Sequence, residues 1–227
     1  MNQSNNNFSF DYEDECISYK SLFPVFSSEN FIELDKSYSQ LDIDTEIKKL
    51  FSEYKVNTTE DQAALHHVYR SAYGEQVSNV SSHFYEIAKR SIEQSINLKA
   101  KLLENNIRNI VTIGIGGSFE GPKLLIETLT QKHGRSFNHI FLTGPDTQEF
   151  YDEIEPLDKA ETFFIVSSKS FSTDETMQSL SLARNWIGAD FEFKDHFICV
   201  TSKLDKAKTF GFDETTAIEF PNEIGGR

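Results

Sequence analysis

Cysteine is nearly absent, with only Cys16 and Cys199 in 227 residues. They lie far apart, and Cys199 falls in the apolar run Phe197-Ile198-Cys199-Val200. The sequence therefore predicts two reduced thiols in a reducing compartment and no disulfide framework. Basic charge is scarce too: 22 Lys and Arg stand against 36 Asp and Glu, a formal net charge of −14. Binding nucleic acid or anionic lipid needs clustered cations, so neither is an expected partner. A small phosphorylated ligand, held by a few local donors, is not excluded. No apolar stretch has the length of a membrane span. Met1–Asn7 has no basic segment and no apolar core, so it reads as a flexible tail rather than a signal peptide. The sequons at Asn57 and Asn79 are then chance matches, and the chain is expected in the cytoplasm. No His, Cys and Asp spacing suits a metal, and no cofactor is expected.

Bulk for a core is plentiful, with 38% hydrophobic residues, 20 Phe and 8 Tyr. The length allows one large domain, or a domain with a smaller appendage. The spacing divides the chain into a mostly helical region, 1–105, and an α/β region, 106–227. In the first, Asn57 with Glu60 has the form of a helix cap, predicting a helix toward Tyr73 that stops at Gly74. Phe84, Ile87, Ala88, Ile92 and Ile96 recur at three- and four-residue steps and predict the apolar face of another helix. In the second, short apolar runs at Ile110–Ile115, His139–Leu142, Phe163–Val166, Phe197–Thr201 and Ala217–Phe220 alternate with helical segments. The alternation predicts about five parallel strands in a three-layer αβα sheet, with ligands outside the strands' carboxyl ends.

Three segments carry chemistry. Ile113-Gly114-Ile115-Gly116-Gly117-Ser118 follows a strand, and Pro122 suits a first helical turn. Glycines let backbone N–H groups approach an anion. The dinucleotide fingerprint fails at Phe119, and the P-loop fails because Pro122 stands in place of lysine. A tight turn without a ligand remains open on spacing alone. Ser167-Ser168-Lys169-Ser170-Phe171-Ser172-Thr173-Asp174-Glu175-Thr176 follows another strand. Its hydroxyls at a helix start suit a phosphate dianion better than they suit a plain helix cap. Asp174 and Glu175 need not oppose an anion there, because they can cap that helix with their carboxylates turned away from the ligand. Ile224-Gly225-Gly226-Arg227 could bring a guanidinium to the same strand ends.

Together these segments resemble the ordered pattern of the phosphoglucose isomerase family: GIGGSxLG, SKTFTTxET and a final VGGR. Asn57–His66 is similar to the family's N-x-TE-x-RAxLH stretch. The resemblance implies a sugar isomerase (SIS), flavodoxin-like domain acting on a hexose 6-phosphate. Gly117 and Ser118 would approach the sugar. Ser168, Lys169, Ser170, Thr173 and Thr176 would hold its phosphate, Lys169 mainly through its backbone. Arg227 would sit beside the enediolate as glucose 6-phosphate and fructose 6-phosphate interconvert. Departures are Phe119-Glu120, Ser170 and Ser172 in place of threonines, and Gln62 in place of arginine. The family's glutamate base, histidine, lysine and second sheet domain have no counterpart in these 227 residues, so the chain is expected to be an inactive fragment with exposed apolar surface. A homodimer is implied for the complete family member. Another SIS-type aldose–ketose isomerase and a non-catalytic phosphosugar-binding module are the rival readings.

Overall fold

The computed structural model describes residues 10–13, 18–21, 28–76, 79–133 and 136–225. They form two compact units, divided between Lys49 and Leu50. The first unit pairs β1 (Phe10–Glu13) with β2 (Ser18–Ser21) in an antiparallel ribbon, followed by α1 (Ser28–Ser39) and all but the last residue of α2 (Ile43–Leu50). The helical reading of the first hundred residues did not anticipate this ribbon. Asp42 opens α2 by accepting the Thr45 N–H at 3.2 Å.

The second unit begins with α3 (His66–Arg70) and α4 (Ser82–Glu104). Strands β3 (Asn109–Ile113), β4 (Asn138–Leu142), β5 (Thr162–Ser167), β6 (Phe197–Thr201) and β7 (Ala217–Glu219) then form one parallel sheet in the order β4-β3-β5-β6-β7. The crossovers are α5 (Glu120–His133), α6 (Thr147–Ile154), α7 (Asp174–Ile187), the four-residue α8 (Phe193–His196) and α9 (Leu204–Lys208). All five expected strands are present. The chain runs from β3 outward to β4 and returns to β5 on the other side of β3, so the loops after β3 and β5 meet at a topological switch point.

Period-two alternation distributes the strands' side chains over two helical layers. Val111, Ile113, Phe164, Val166, Phe197 and Cys199 pack with Leu180, Ala183 and Ile187 of α7 and with Phe150 and Ile154 of α6. Ile110, Phe163, Ile198 and Ile218 face the other way, against Leu102 and Leu98 of α4. The result is the expected αβα sandwich. Burial pushes the Cys199 thiol up to about 12, so it is packing and not a nucleophile. Leu124, Leu125 and Leu129 of α5 are exposed.

The expected face of α4 is borne out at Ala88, which is buried, and at Phe84 and Ile92, which pack against the same core, but not at its end. Ile96 is exposed, whereas Tyr85, Ala88, Ser91 and Leu102 are buried. Ser91 is a polar residue on that face because its hydroxyl donates to the Glu219 carbonyl at 2.6 Å and receives the Tyr69 hydroxyl at 3.3 Å. Ser91→Ala is expected to lower stability by about 1–2 kcal/mol, since β7 loses a donor and Tyr69 an acceptor. Urea unfolding measures it.

Asn57 does not open a helix. Residues 57–62 close into a tight hairpin in which Asn57 and Gln62 exchange N–H···O bonds of 3.0 and 3.1 Å. The Asn57 side chain accepts from the Thr59 hydroxyl at 2.9 Å and the Glu60 N–H at 3.3 Å. Such local bonds compete with helix formation, so only His66–Arg70 is helical before the turn that reaches Gly74.

Before β7, Asp213 Oδ1 accepts from the Thr215 and Thr216 hydroxyls and both their N–H groups. Those bonds, the Thr215 hydroxyl first, hold its carboxyl down at about 2, below the usual 3.8. A depressed carboxylate contributes stability that is present above the ordinary value and lost as pH falls toward about 2. Asp213→Asn should flatten the loss of stability between about pH 4 and 2, read as urea midpoints against pH.

Candidate functional site

At the switch point lies a cleft of about 600 Å³. The turn after β3 contributes Gly117 and Ser118, the end of β5 and the loop after it contribute Ser167 to Ser170, and the entry and first turn of α7 contribute Thr173 and Thr176. Every described residue expected at the site lines this one cleft. Sequence reasoning assigned no role to Ile115 and Ser167, next to the expected residues, and missed Glu60 and Gln62 from the hairpin, Lys203 after β6, and Asn222 after β7. The last two follow strand carboxyl ends, a position that could have marked them. Arg227 and Gly226 lie outside the described residues.

Two backbone conformations build the cleft. Gly116 has φ +55°, the left-handed region that glycine enters without a side-chain clash, and begins the short 3-10 turn to Ser118. Phe171 has φ +46°, which is uncommon for a bulky residue. It reverses the chain so that Ser170 and Thr173 both line the cleft while the Phe171 ring is buried against Phe210 and Phe212. Ser168 fixes this turn, its Oγ accepting the Phe171 N–H at 3.1 Å. The Ser168 hydroxyl keeps its own proton to donate. Ser168→Ala is expected to cost about 1–3 kcal/mol, because it strands a buried N–H at a strained residue. A thermal-melt comparison with Ser170→Ala, whose parent residue is exposed, checks this.

Donors dominate at the helix end. Thr173 is the residue before α7 and makes no side-chain capping bond, so its hydroxyl is not spent on the helix. The first-turn N–H groups and the helix dipole favour an anion there. Asp174 and Glu175 are exposed in the first turn and do not line the cleft. The Lys169 ammonium is tethered, with Glu60 Oε2 at 3.3 Å and Gln62 Oε1 at 3.1 Å. A glutamine carbonyl at 62 can accept from that ammonium; an arginine would set a second cation beside it. The Lys169 carbonyl accepts from the Thr201 hydroxyl at 3.2 Å and the Ser202 hydroxyl at 3.0 Å.

The cleft continues into a largely apolar groove of about 610 Å³, lined by Ile92 and Ile96 of α4, Pro122 of α5, and Phe220, Ile224 and Gly225. Gly117, Ser118, Ser167 and Lys169 line both. Gly225 is fastened there by His66, whose Nε2 lies 3.1 Å from the Gly225 carbonyl and 3.2 Å from its N–H. Leu65 N–H also donates to the Glu223 carbonyl at 3.1 Å. His67 packs on Phe51, and His196 holds the Thr162 carbonyl at 2.8 Å, both outside the cleft. Among the described residues no group of His, Cys, Asp and Glu is arranged to hold a metal, and no helix is long and apolar enough to cross a membrane.

Comparison with known proteins agrees with the geometry. The family model described as phosphoglucose isomerase matches residues 25–227. A glucose-6-phosphate isomerase of Ectopseudomonas mendocina is 34% identical over 229 residues, covering 96% of this chain and 40% of the relative. One from Syntrophus aciditrophicus is 34% identical over 194 residues, covering 80% of this chain and 36% of the relative. The chain therefore spans about two fifths of the length of the relatives it matches. The crystal structure of a Chlamydia trachomatis glucose-6-phosphate isomerase superimposes with a TM-score of 0.71 at 19% identity, covering 88% of this chain and 40% of that one, a likeness of fold.

Proposed function

The chain belongs to the phosphoglucose isomerase family, and we propose that its switch-point cleft holds the phosphate of a hexose 6-phosphate undergoing aldose–ketose isomerisation. One observation carries this reading. The hydroxyl-bearing residues Ser168, Ser170, Thr173 and Thr176 line the same cleft at the amino end of α7 as the Gly117-Ser118 turn. A phosphate dianion needs convergent donors and local positive potential, and this arrangement offers both.

In the proposed complex, Ser168, Ser170, Thr173 and Thr176 donate to phosphate oxygens, and Lys169 contributes its backbone. Gly117 and Ser118 lie against the sugar, which extends along the shared wall toward Gly225. Arg227, two residues farther, would stabilise charge developing on the enediolate. Moving a proton between C1 and C2 also needs a general base. Glu60 is the only carboxylate among the described residues of the cleft, and it is held by Lys169. The chain alone is therefore expected to bind the sugar phosphate without turning it over.

Thermal shift tests the proposal. Fructose 6-phosphate should raise the melting temperature more than inorganic phosphate, and fructose should not raise it at all. Glucosamine 6-phosphate matching or exceeding fructose 6-phosphate would favour another aldose–ketose isomerase of this fold. Stabilisation by no phosphorylated ligand would remove the proposal.

A further inference from the structure

Two lysines line the cleft, and they are differently placed. Lys169 is half-buried, and its ammonium is already shared between Glu60 and Gln62. Lys203 is exposed and makes no ion pair among the described residues. Its backbone is nevertheless held in place, because its N–H donates to Thr201 Oγ1 at 3.1 Å. Thr201 and Ser202 in turn bind the carbonyl of Lys169, in the loop that carries the hydroxyls. The root of the Lys203 side chain is thereby laced to the cradle while its charge stays uncommitted.

We propose that Lys203, rather than Lys169, supplies the ammonium that neutralises the phosphate of the bound sugar, an inference that rests on the reading of the cleft given above. Lys169 is a positioning residue, joining the 57–62 hairpin to the phosphate loop. The division follows from charge. An ammonium paired with a carboxylate offers an incoming dianion little net attraction, whereas an unpaired one offers a full charge at a contact distance. A chain of net charge −14 repels anions at long range, so a local cation weighs heavily. A lysine left hydrated on its flexible stem can follow the phosphate as it settles.

The test is an amide NMR titration of the 227-residue chain with fructose 6-phosphate and, separately, inorganic phosphate, at two salt concentrations. Lys203→Met should weaken both ligands about ten-fold and flatten the salt dependence, with the melting temperature unchanged. Lys203→Arg should stay within about three-fold of the parent, because it keeps the charge. The paired variant Glu60→Gln/Lys169→Met removes the tether but no free charge, so it should lower the melting temperature while keeping the parent's salt dependence of binding. Lys194→Met, removing an exposed lysine outside the cleft, should change nothing. If Lys203→Met titrates like the parent while Thr173→Val loses binding, the assignment of Lys203 is wrong and the cradle stands. If the parent's amides at residues 168–176 do not respond to either ligand, the reading of the cleft falls and this inference with it.

Discussion

Phe171→Ala is expected to lower stability by about 3–5 kcal/mol, the range for deleting a buried aromatic ring, and to weaken sugar-phosphate binding beyond measurement. Phe171 is 1% exposed, with ring centroids 5.7 Å from Phe210 and 5.6 Å from Phe212. Phe212 meets Phe193, which stacks on Phe197 of the central sheet. Losing the ring leaves a cavity under a backbone held at φ +46°, a conformation that costs about 1 kcal/mol or more in a residue with a Cβ. Burial of the ring is what offsets that strain. Alanine retains the strain and loses the compensation, so residues 168–173 should relax and separate the hydroxyls. Phe171→Leu keeps most of the burial and should lose roughly half as much. Urea unfolding measures the first effect, and titration with fructose 6-phosphate the second. A loss below about 1 kcal/mol for the alanine variant would contradict the account.

Gly114→Ala should act on the ligand more than on the fold. A Cβ at Gly114 would fall 2.9 Å from Ser118 Cβ and 2.9 Å from the Ser167 carbonyl oxygen. Neither neighbour is the free end of a flexible side chain, so the Gly117-Ser118 turn and the end of β5 must move apart. Overpacking of this kind costs about 1–3 kcal/mol in stability. The two displaced segments are the two walls of the proposed site, so affinity for fructose 6-phosphate should fall at least 100-fold, about 2.7 kcal/mol. Gly116→Ala is the comparison. It meets no atom within 4 Å and suffers only its φ of +55°, so it should lose less affinity at a similar stability cost. Equal affinity for Gly114→Ala and the parent would show that close approach at Gly114 does not set the width of the cleft.

The sheet was legible because burial on both faces writes continuous apolar runs, and each expected run overlaps an observed strand. The lining of the cleft was legible because much of it comes from sequence neighbours: two short strand-end segments supply Gly117, Ser118, Ser168, Lys169, Ser170, Thr173 and Thr176. What escaped reading depends on partners remote in sequence. Asn57 and Glu60 have the composition of a helix cap, but local bonds to Asn57 close the hairpin, and Lys169, more than a hundred residues away, ties Glu60 and Gln62 to the loop after β5. Ser91 breaks the apolar pattern of α4 because Glu219 and Tyr69 satisfy its hydroxyl. His66 opens the short helix α3, and nothing in the pattern around it shows that its ring fastens Gly225. Periodicity records which faces are apolar; it does not record a hydrogen bond to a distant loop.

The most direct test of the central claim is a crystal structure of the chain with fructose 6-phosphate. The account expects the phosphorus within hydrogen-bonding reach of the Ser168, Ser170, Thr173 and Thr176 hydroxyls, and the sugar carbons against Gly117 and Ser118. A phosphate bound elsewhere, with the α7 terminus occupied only by water, would contradict it.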